Sequence, residues 1–191
     1  MSHTSLAVIV EGHGEVKAVP ELMRRLAPHA RIIAPPHRVP KSAMKNELRR
    51  AVRLQGSRVG ANGGVLVLLD ADDDDPAVLR AQLIDYVDTD LRAQVRAVVA
   101  VKEYEAWFLA AIESLRSHRS VKDDASFPGN PESPRDAKGR LSDQMLEPYQ
   151  ETLHQVAFSA IFDIDAASER CPSFRCLQSA VIELVGKSPG F

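Results

Sequence analysis

Cysteine is scarce. Cys171 and Cys176 are the only two, too few for a disulfide framework and suited to a reducing compartment. No second pair and no partner histidine stand near them, which argues against zinc and leaves buried structural thiols as the expectation. Long apolar runs are missing too. The longest near the N-terminus, Leu6 to Val10, is far too short for a membrane span or a signal-peptide core, so a cytoplasmic protein without a membrane partner is expected. Net charge is nearly absent: 24 Lys+Arg against 26 Asp+Glu give −2, and no global field advertises a polyanionic ligand. Gly12-His13-Gly14 lacks the third glycine of a dinucleotide fingerprint, and no acidic residue follows at the expected distance. A Rossmann cofactor site is therefore not expected. No short-period repeat is visible.

The chain does have the means to fold. Its 191 residues match one domain of roughly 100–200 residues, and 45% apolar residues are ordinary for a globular protein. Its charges are segregated. From Lys17 to Arg58 the basic residues include Arg24, Arg25, Arg49, Arg50 and Arg53, opposed only by Glu21 and Glu47. Asp70 and Asp72 to Asp75 follow as an acidic knot. Such separation resembles a metal site beside a polyanion track, although arginine-rich helices with solvated faces would give the same pattern.

Strand and helix alternate along the first two thirds. Leu6 to Val10 reads as a strand buried on both faces, and Glu15 to Leu26 as a helix that Pro20 should kink or restart. Arg31 to Ala34 is a weaker strand closed by Pro35-Pro36, and Ser42 to Leu54 a helix with a basic face. Val65 to Leu69 is the clearest buried strand. Asp75-Pro76 starts the next helix, with the aspartate as cap and the proline at the first helical position. Val95 to Val101 is the fourth strand and Glu105 to Leu115 its helix, with Trp107 and Phe108 as core anchors. Four strands each followed by a helix predict an α/β fold, a four-stranded mainly parallel sheet with helices on both faces. Residues 1–116 form this core. Ser117 to Arg140, rich in Pro, Ser, Asp and Gly, reads as a loop or lid. Residues 141–191 read as a helical C-terminal appendage packed on the core, with helices over Leu141 to Phe162 and Pro172 to Val185.

In parallel sheets ligands sit outside the carboxyl ends of the strands. Here those ends carry Glu11, then Asp70 and Asp72, then Lys102, Glu103 and Glu105. Asp70 and Asp72, two apart at the end of a strand, leave the chain on one side. Two carboxylates so close repel each other unless a cation lies between them, and oxygen ligands suit Mg²⁺ or Mn²⁺. Glu11 from a neighbouring strand completes the set or carries a proton, and Glu105 joins it from the same sheet edge. Asp73, Asp74 and Asp75 read instead as favourable charge at a helix N-terminus. His13 reads as a solvated turn residue. Lys138, after the Pro-rich segment, reads either as an exposed lysine or as a clamp for charge developing on a phosphate.

Val10-Glu11-Gly12 followed by Asp70-Ala71-Asp72 resembles the TOPRIM domain of topoisomerases, primases and OLD-type nucleases. Glu15, Glu105-Ala106-Trp107-Phe108-Leu109, Asp136-Ala137-Lys138 with Leu141, Tyr149, and Cys171-Pro172-Ser173-Phe174 resemble one small bacterial TOPRIM-like family without a settled activity, often encoded beside AAA or SMC-like ATPases. The resemblance spans nearly the whole chain and implies a Rossmann-like sheet. It makes Glu11 the TOPRIM glutamate, Asp70 and Asp72 the metal pair, and Lys102 a lysine near the scissile phosphate. No topoisomerase tyrosine domain and no primase zinc module accompany it, so nuclease or simple phosphoryl chemistry is what it leaves. The leading expectation is a Mg²⁺-dependent phosphodiesterase acting on nucleic acid, in defence or repair beside an ATPase partner, with Arg24, Arg25, Arg49, Arg50 and Arg53 on the phosphate backbone. A non-catalytic module binding protein or nucleic acid is the alternative. A receiver-like phosphoacceptor is a third, weakened because receivers place an acidic pair after the first strand and only Glu11 stands there.

Overall fold

The protein is described by a computed structural model over residues 4–186. Four parallel strands form one open sheet: β1 (Ser5–Val10), β2 (Arg31–Arg38), β3 (Gly64–Asp70) and β4 (Val95–Ala100), in the order β2-β1-β3-β4. β1 and β3 are central and nearly wholly buried, as continuous apolar runs should be when both faces are covered.

Alternation along β1 divides the core into two layers. Leu6, Val8 and Val10 pack with α1 (Glu15–Leu26) through Val19, Leu22 and Met23. Ala7 and Ile9 face the other way, against Leu48, Ala51 and Val52 of α2 (Met44–Val59) and Leu83 of α3 (Pro76–Asp85). The cap of α3 is as the sequence predicts: Asp75 Oδ1 accepts from the N–H groups of Ala77 and Val78, with Pro76 at the first position.

Three expectations change. α1 does not restart at Pro20 but runs through it as one helix, because one missing N–H costs less than the apolar stripe of α1 contributes by docking on the sheet. β2 does not close at Pro35-Pro36 but runs to Arg38, with a register shift against β1 between Ala7 and Ile9. An edge strand tolerates prolines because its outer N–H groups pair with nothing. α2 outlasts its expected end and stops at Gly60, whose φ of 73° suits a residue without Cβ.

The helix after β4 is short, α4 (Glu105–Ala110), and continues as a 3-10 segment, Ile112–Ser117. The expected helix over Leu141 to Phe162 is broken into α5 (Ala137–Asp143), a π-helical turn Glu151–Gln155 and α6 (Val156–Ile161). α7 (Ile164–Arg170) and α8 (Pro172–Val185) complete the chain, α8 with the predicted bounds. These helices do pack on the sheet, and they finish one of its layers: Phe158, Phe162, Phe174, Leu177 and Val181 share a single cluster with Val8, Leu66 and Trp107. The segment read as a loop or lid is tied down by Val121 bridging Met145 and by the Arg170 guanidinium donating to the Phe127 and Gly129 carbonyls. Cys171 is buried as expected, its thiol pushed up to about 12 by burial. Cys176 is exposed, because it lies off the Phe174–Leu177–Val181 stripe of α8. Among the described residues no helix is long and apolar enough to cross a membrane.

Candidate active site at the carboxyl ends of β1 and β3

The chain leaves β1 toward β2 on one side and returns to β3 on the other. That reversal opens a crevice between the loops after β1 and β3, the usual ligand position in such sheets. A cleft of about 180 Å³ lies there, lined by Glu11, Glu15, Asp70, Asp72, Lys138 and Glu151.

The turn after β1 is held by Glu15, the first residue of α1. Its Oε2 accepts from the N–H groups of Glu11 (3.1 Å) and Gly12 (2.7 Å), satisfying donors at a helix entrance much as a capping box does. Gly14 lets the π-helical turn approach: a Cβ there would stand 2.3 Å from Gln155 Oε1 and 3.1 Å from Glu151 Cβ. Asp70, the last residue of β3, accepts the Tyr104 N–H on Oδ1 at 2.8 Å. Asp72 follows in left-handed backbone with φ 52°, and its N–H donates at 2.8 Å to the carbonyl of Lys102, itself at φ 66°. The loops after β3 and β4 are thus joined at their two strained residues. Lys41 pins the outer wall, with Nζ 2.8 Å from Asp72 Oδ2 and 3.0 Å from Asp74 Oδ2.

Among the described residues Lys138 is the cation inside the cleft. It is the second residue of α5, whose cap Asp136 accepts from the Gly139 N–H at 2.7 Å. Its own N–H donates to Glu103 Oε2 at 2.9 Å. Its ammonium lies 3.2 Å from Glu151, 3.4 Å from Glu103, 3.6 Å from Glu105 and 3.9 Å from Asp70. Glu105 is 0% exposed. Its Oε1 accepts from the Tyr149 hydroxyl (2.8 Å) and Gln155 Nε2 (3.3 Å), whereas its buried Oε2 has no hydrogen bond.

Negative charge outweighs positive here. Burial raises the carboxyls of Glu11, Glu15, Asp70 and Glu105 above their ordinary values, Glu15 to about 7. Glu105 and Glu11 push Glu15 further up, Glu15 and Glu105 push Asp70 further up, and Lys138 opposes the rise at Glu11, Asp70 and Glu105. Burial by itself would lower the Lys138 ammonium, but Glu105, Asp70, Glu103 and Glu151 outweigh it and keep the lysine charged.

The donors Glu11, Asp70 and Asp72 are all oxygen, as a hard divalent cation requires. Glu11 Oε2 is buried without a hydrogen-bond partner, an acceptor that a cation would satisfy. Among the described residues no three His, Cys, Asp or Glu side chains stand as a ready-made metal group. The two lysines hold part of the cluster that a metal would otherwise neutralise.

The residues predicted from sequence separate into distinct groups. Glu11, Asp70, Asp72 and Lys138 meet in the cleft. Glu105 lies behind Lys138 rather than on the lining, and Lys102 stands off it, 3.9 Å from Asp73. The basic arc does not form as one track, because α1 and α2 lie on opposite faces of the sheet. On α1, Arg24 pairs with Glu21, while Arg25 donates to the Ser159 and Phe162 carbonyls and lies over the Phe162 ring. On α2, Arg49 and Arg53 pair with Asp88, and Arg50 borders a separate hollow beside His37 and Asn46. Asp73 and Asp74 are ion-paired with Arg135 and Lys41 instead of serving only a helix N-terminus. His13 is exposed, and Trp107 and Phe108 are fully buried, as expected.

Sequence reasoning gave no site role to Lys41, Glu151 or Gln155. The last two are four residues apart, a spacing that shares a helix face, but nothing local ties that face to the end of β1.

Fold and site together define an open, all-parallel α/β protein with a carboxylate cleft at the point where its strand order reverses. The chain belongs to the family of DUF4276, a domain of unknown function, whose family model matches residues 10–181. No curated protein and no solved structure matches it.

Proposed function

We propose that the chain is a TOPRIM-like phosphodiesterase, dependent on Mg²⁺ or Mn²⁺, that cleaves nucleic acid in the cytoplasm. The observation that carries this reading is the meeting of Glu11, Asp70 and Asp72 from two adjacent strand ends in one polar cleft, with Glu11 Oε2 buried and unsatisfied. These three residues hold the cation. When bound, it supplies Lewis-acid polarisation of a phosphoryl oxygen. Lys138 brings an ammonium to the same cleft, where it stabilises charge developing on the phosphate. Glu103 and Glu105 keep that ammonium in place. Glu15, with its carboxyl near neutrality, holds or releases a proton at the cleft wall. An ATPase partner rests on the resemblance to the TOPRIM-like family alone.

Divalent cation is expected to stabilise the fold by linkage, about 2.7 kcal/mol at a hundredfold excess over Kd. In a chain of this size that is a rise in Tm of roughly 5–10 °C. The Asp70→Asn, Asp72→Asn double variant should show no rise with Mn²⁺ in a thermal-shift titration. An equal rise in the variant places the cation elsewhere.

Nucleic acid is expected to bind mainly through phosphates, so affinity should fall steeply with salt. Replacing Arg49, Arg50 and Arg53 together should flatten the plot of log K against log salt, by about 0.9 for each duplex phosphate no longer neutralised. Arg24→Ala, on the opposite layer, should leave the slope alone. A slope unmoved by the triple substitution makes the α2 face a solvated surface.

One observation favours the non-catalytic reading: Lys41 and Lys138 already neutralise part of the cluster. Binding of nucleic acid without metal-dependent cleavage would select it.

A further inference from the structure

We propose that Gln155 reads the sugar of the bound strand, accepting a hydrogen bond from a ribose 2′-hydroxyl, so that the cleft takes RNA in preference to DNA. This rests on the nucleic-acid reading above and names the substrate class for it.

Among the described residues, three buried side-chain acceptors have no hydrogen-bond partner: Glu11 Oε2, Glu105 Oε2 and Gln155 Oε1. All three belong to this one site. Glu105 Oε2 lies 3.6 Å from the Lys138 ammonium, and Glu11 already has its part in the proposed reaction. Gln155 Oε1 is neither charged nor paired. Its residue is only 3% exposed and lines the cleft. A buried acceptor left open is unfavourable, and a donor brought by a ligand relieves it.

The amide is held in one orientation. Nε2 donates to Glu105 Oε1 at 3.3 Å, and the Tyr149 hydroxyl donates to the same oxygen at 2.8 Å. Turned over, the amide would set its own oxygen against a carboxylate oxygen. Oε1 instead lies at the turn after β1, where the missing Cβ of Gly14 leaves it room and where Glu11, Gly12 and Glu15 line the same cleft. The π-helical turn that carries Gln155 is itself anchored. His154 Nδ1 accepts the Gln150 N–H at 2.9 Å, and its ring stacks with those of Tyr149 and Phe158. An acceptor fixed by its neighbours in this way is preorganised for one donor.

The class of ligand follows from what a polynucleotide can donate. Its phosphates and internal deoxyriboses carry no donor, whereas base N–H groups and ribose 2′-hydroxyls do. Glu105 joins Gln155 to Lys138, so the amide stands one side chain away from the ammonium assigned to the phosphate. The donor nearest a backbone phosphate is the 2′-hydroxyl, on the carbon next to the one that bears the 3′-phosphate; base edges lie further out. The cleft, at about 180 Å³, is below the roughly 300 Å³ at which ordinary ligand pockets begin. It suits a phosphate with its sugar rather than a base as well. The 2′-hydroxyl is also the group by which proteins tell RNA from DNA.

Three single strands of one sequence and length test this on the full chain in Mg²⁺: RNA, DNA, and RNA with 2′-fluorine in place of every 2′-hydroxyl. All three carry the same phosphates, and the fluorinated strand lacks only the donor. Affinity is compared for strands that stay intact, and initial rate for strands that are cut. The expected result is a preference for RNA of about tenfold over both others, the scale of one hydrogen bond to an otherwise unpaired buried acceptor. In Gln155→Met that preference should fall toward one. Equal handling of all three strands by the wild type, or a preference for DNA, overturns the inference and leaves the nucleic-acid reading intact. RNA and the fluorinated strand preferred alike over DNA would mean that strand shape is read and not the donor, which also overturns it. Neither binding nor cutting of any strand overturns the nucleic-acid reading itself. A folded Gln155→Met that keeps the full preference overturns the assignment to Gln155. Should that variant fail to fold, the comparison of RNA with the fluorinated strand in the wild type decides.

Discussion

Lys138→Met is expected to destabilise the fold by roughly 2–4 kcal/mol at pH 8, somewhat below the loss from breaking a fully buried ion pair because Lys138 is itself partly exposed. The substitution keeps most of the side-chain volume and removes an ammonium that faces Asp70, Glu103, Glu105 and Glu151 together. Glu105, with no exposure to water, is then left charged without a cation or is forced to protonate.

The pH dependence follows from the direction of the shifts. Glu11, Glu15, Asp70 and Glu105 are all raised in the folded state. Folding therefore takes up protons, and the stability these groups contribute is fully present below their unfolded values. It is lost as pH rises through the folded values, for Glu15 between about 4.5 and about 7. Without Lys138 the carboxyls rise further, so the deficit of the variant should shrink as pH falls toward 5. Urea unfolding at pH 5 and pH 8 measures it. An equal deficit at both would mean that Lys138 contributes packing and no charge.

Trp107→Ala should cost about 3–5 kcal/mol, as large-to-small changes of a buried aromatic do. Trp107 is fully buried on α4, its ring 4.7 Å from Tyr104 and 5.3 Å from Phe174 of α8 between centroids. Its Nε1–H donates to Ser173 Oγ at 2.9 Å, at the start of α8. The side chain therefore joins the helix after β4 to the C-terminal layer, and its loss should expose α8 to amide exchange before the sheet. Trp107→Phe retains an aromatic ring and should cost far less, chiefly the missing hydrogen bond at about 1 kcal/mol. Equal costs for the two variants would show that packing across this joint is not what holds α8.

What the sequence showed and what it hid follow from range. β1, β3 and α1 were legible because each carries its own periodicity, and the cap at Asp75 because capping is local. Glu11, Asp70 and Asp72 were legible as strand-end carboxylates, since strand ends in a parallel sheet share an edge. Lys138 was ambiguous: only the docking of α5 and the π-helical turn onto the sheet edge makes it a cleft residue, and that docking is set by contacts far apart in sequence. The basic arc misled for the reciprocal reason. Arg24 and Arg49 are near in sequence, but crossing from α1 through β2 to α2 changes the face of the sheet. β2 outlasted its prolines because its place at an edge is a property of strand order, not of its residues.

The central claim is that the cleft uses a divalent cation to break phosphodiester bonds, and cleavage by the pure protein tests it most directly. Single- and double-stranded DNA and RNA, end-labelled, are incubated with the wild type in Mg²⁺ or Mn²⁺, with the same metals plus EDTA, and with Asp70→Asn. The account predicts that at least one substrate is cut, that EDTA stops the reaction, and that Asp70→Asn loses at least about a hundredfold in rate, the scale of removing a group that stabilises transition-state charge. No cutting of any substrate under any metal, or cutting by Asp70→Asn at the wild-type rate, would contradict it.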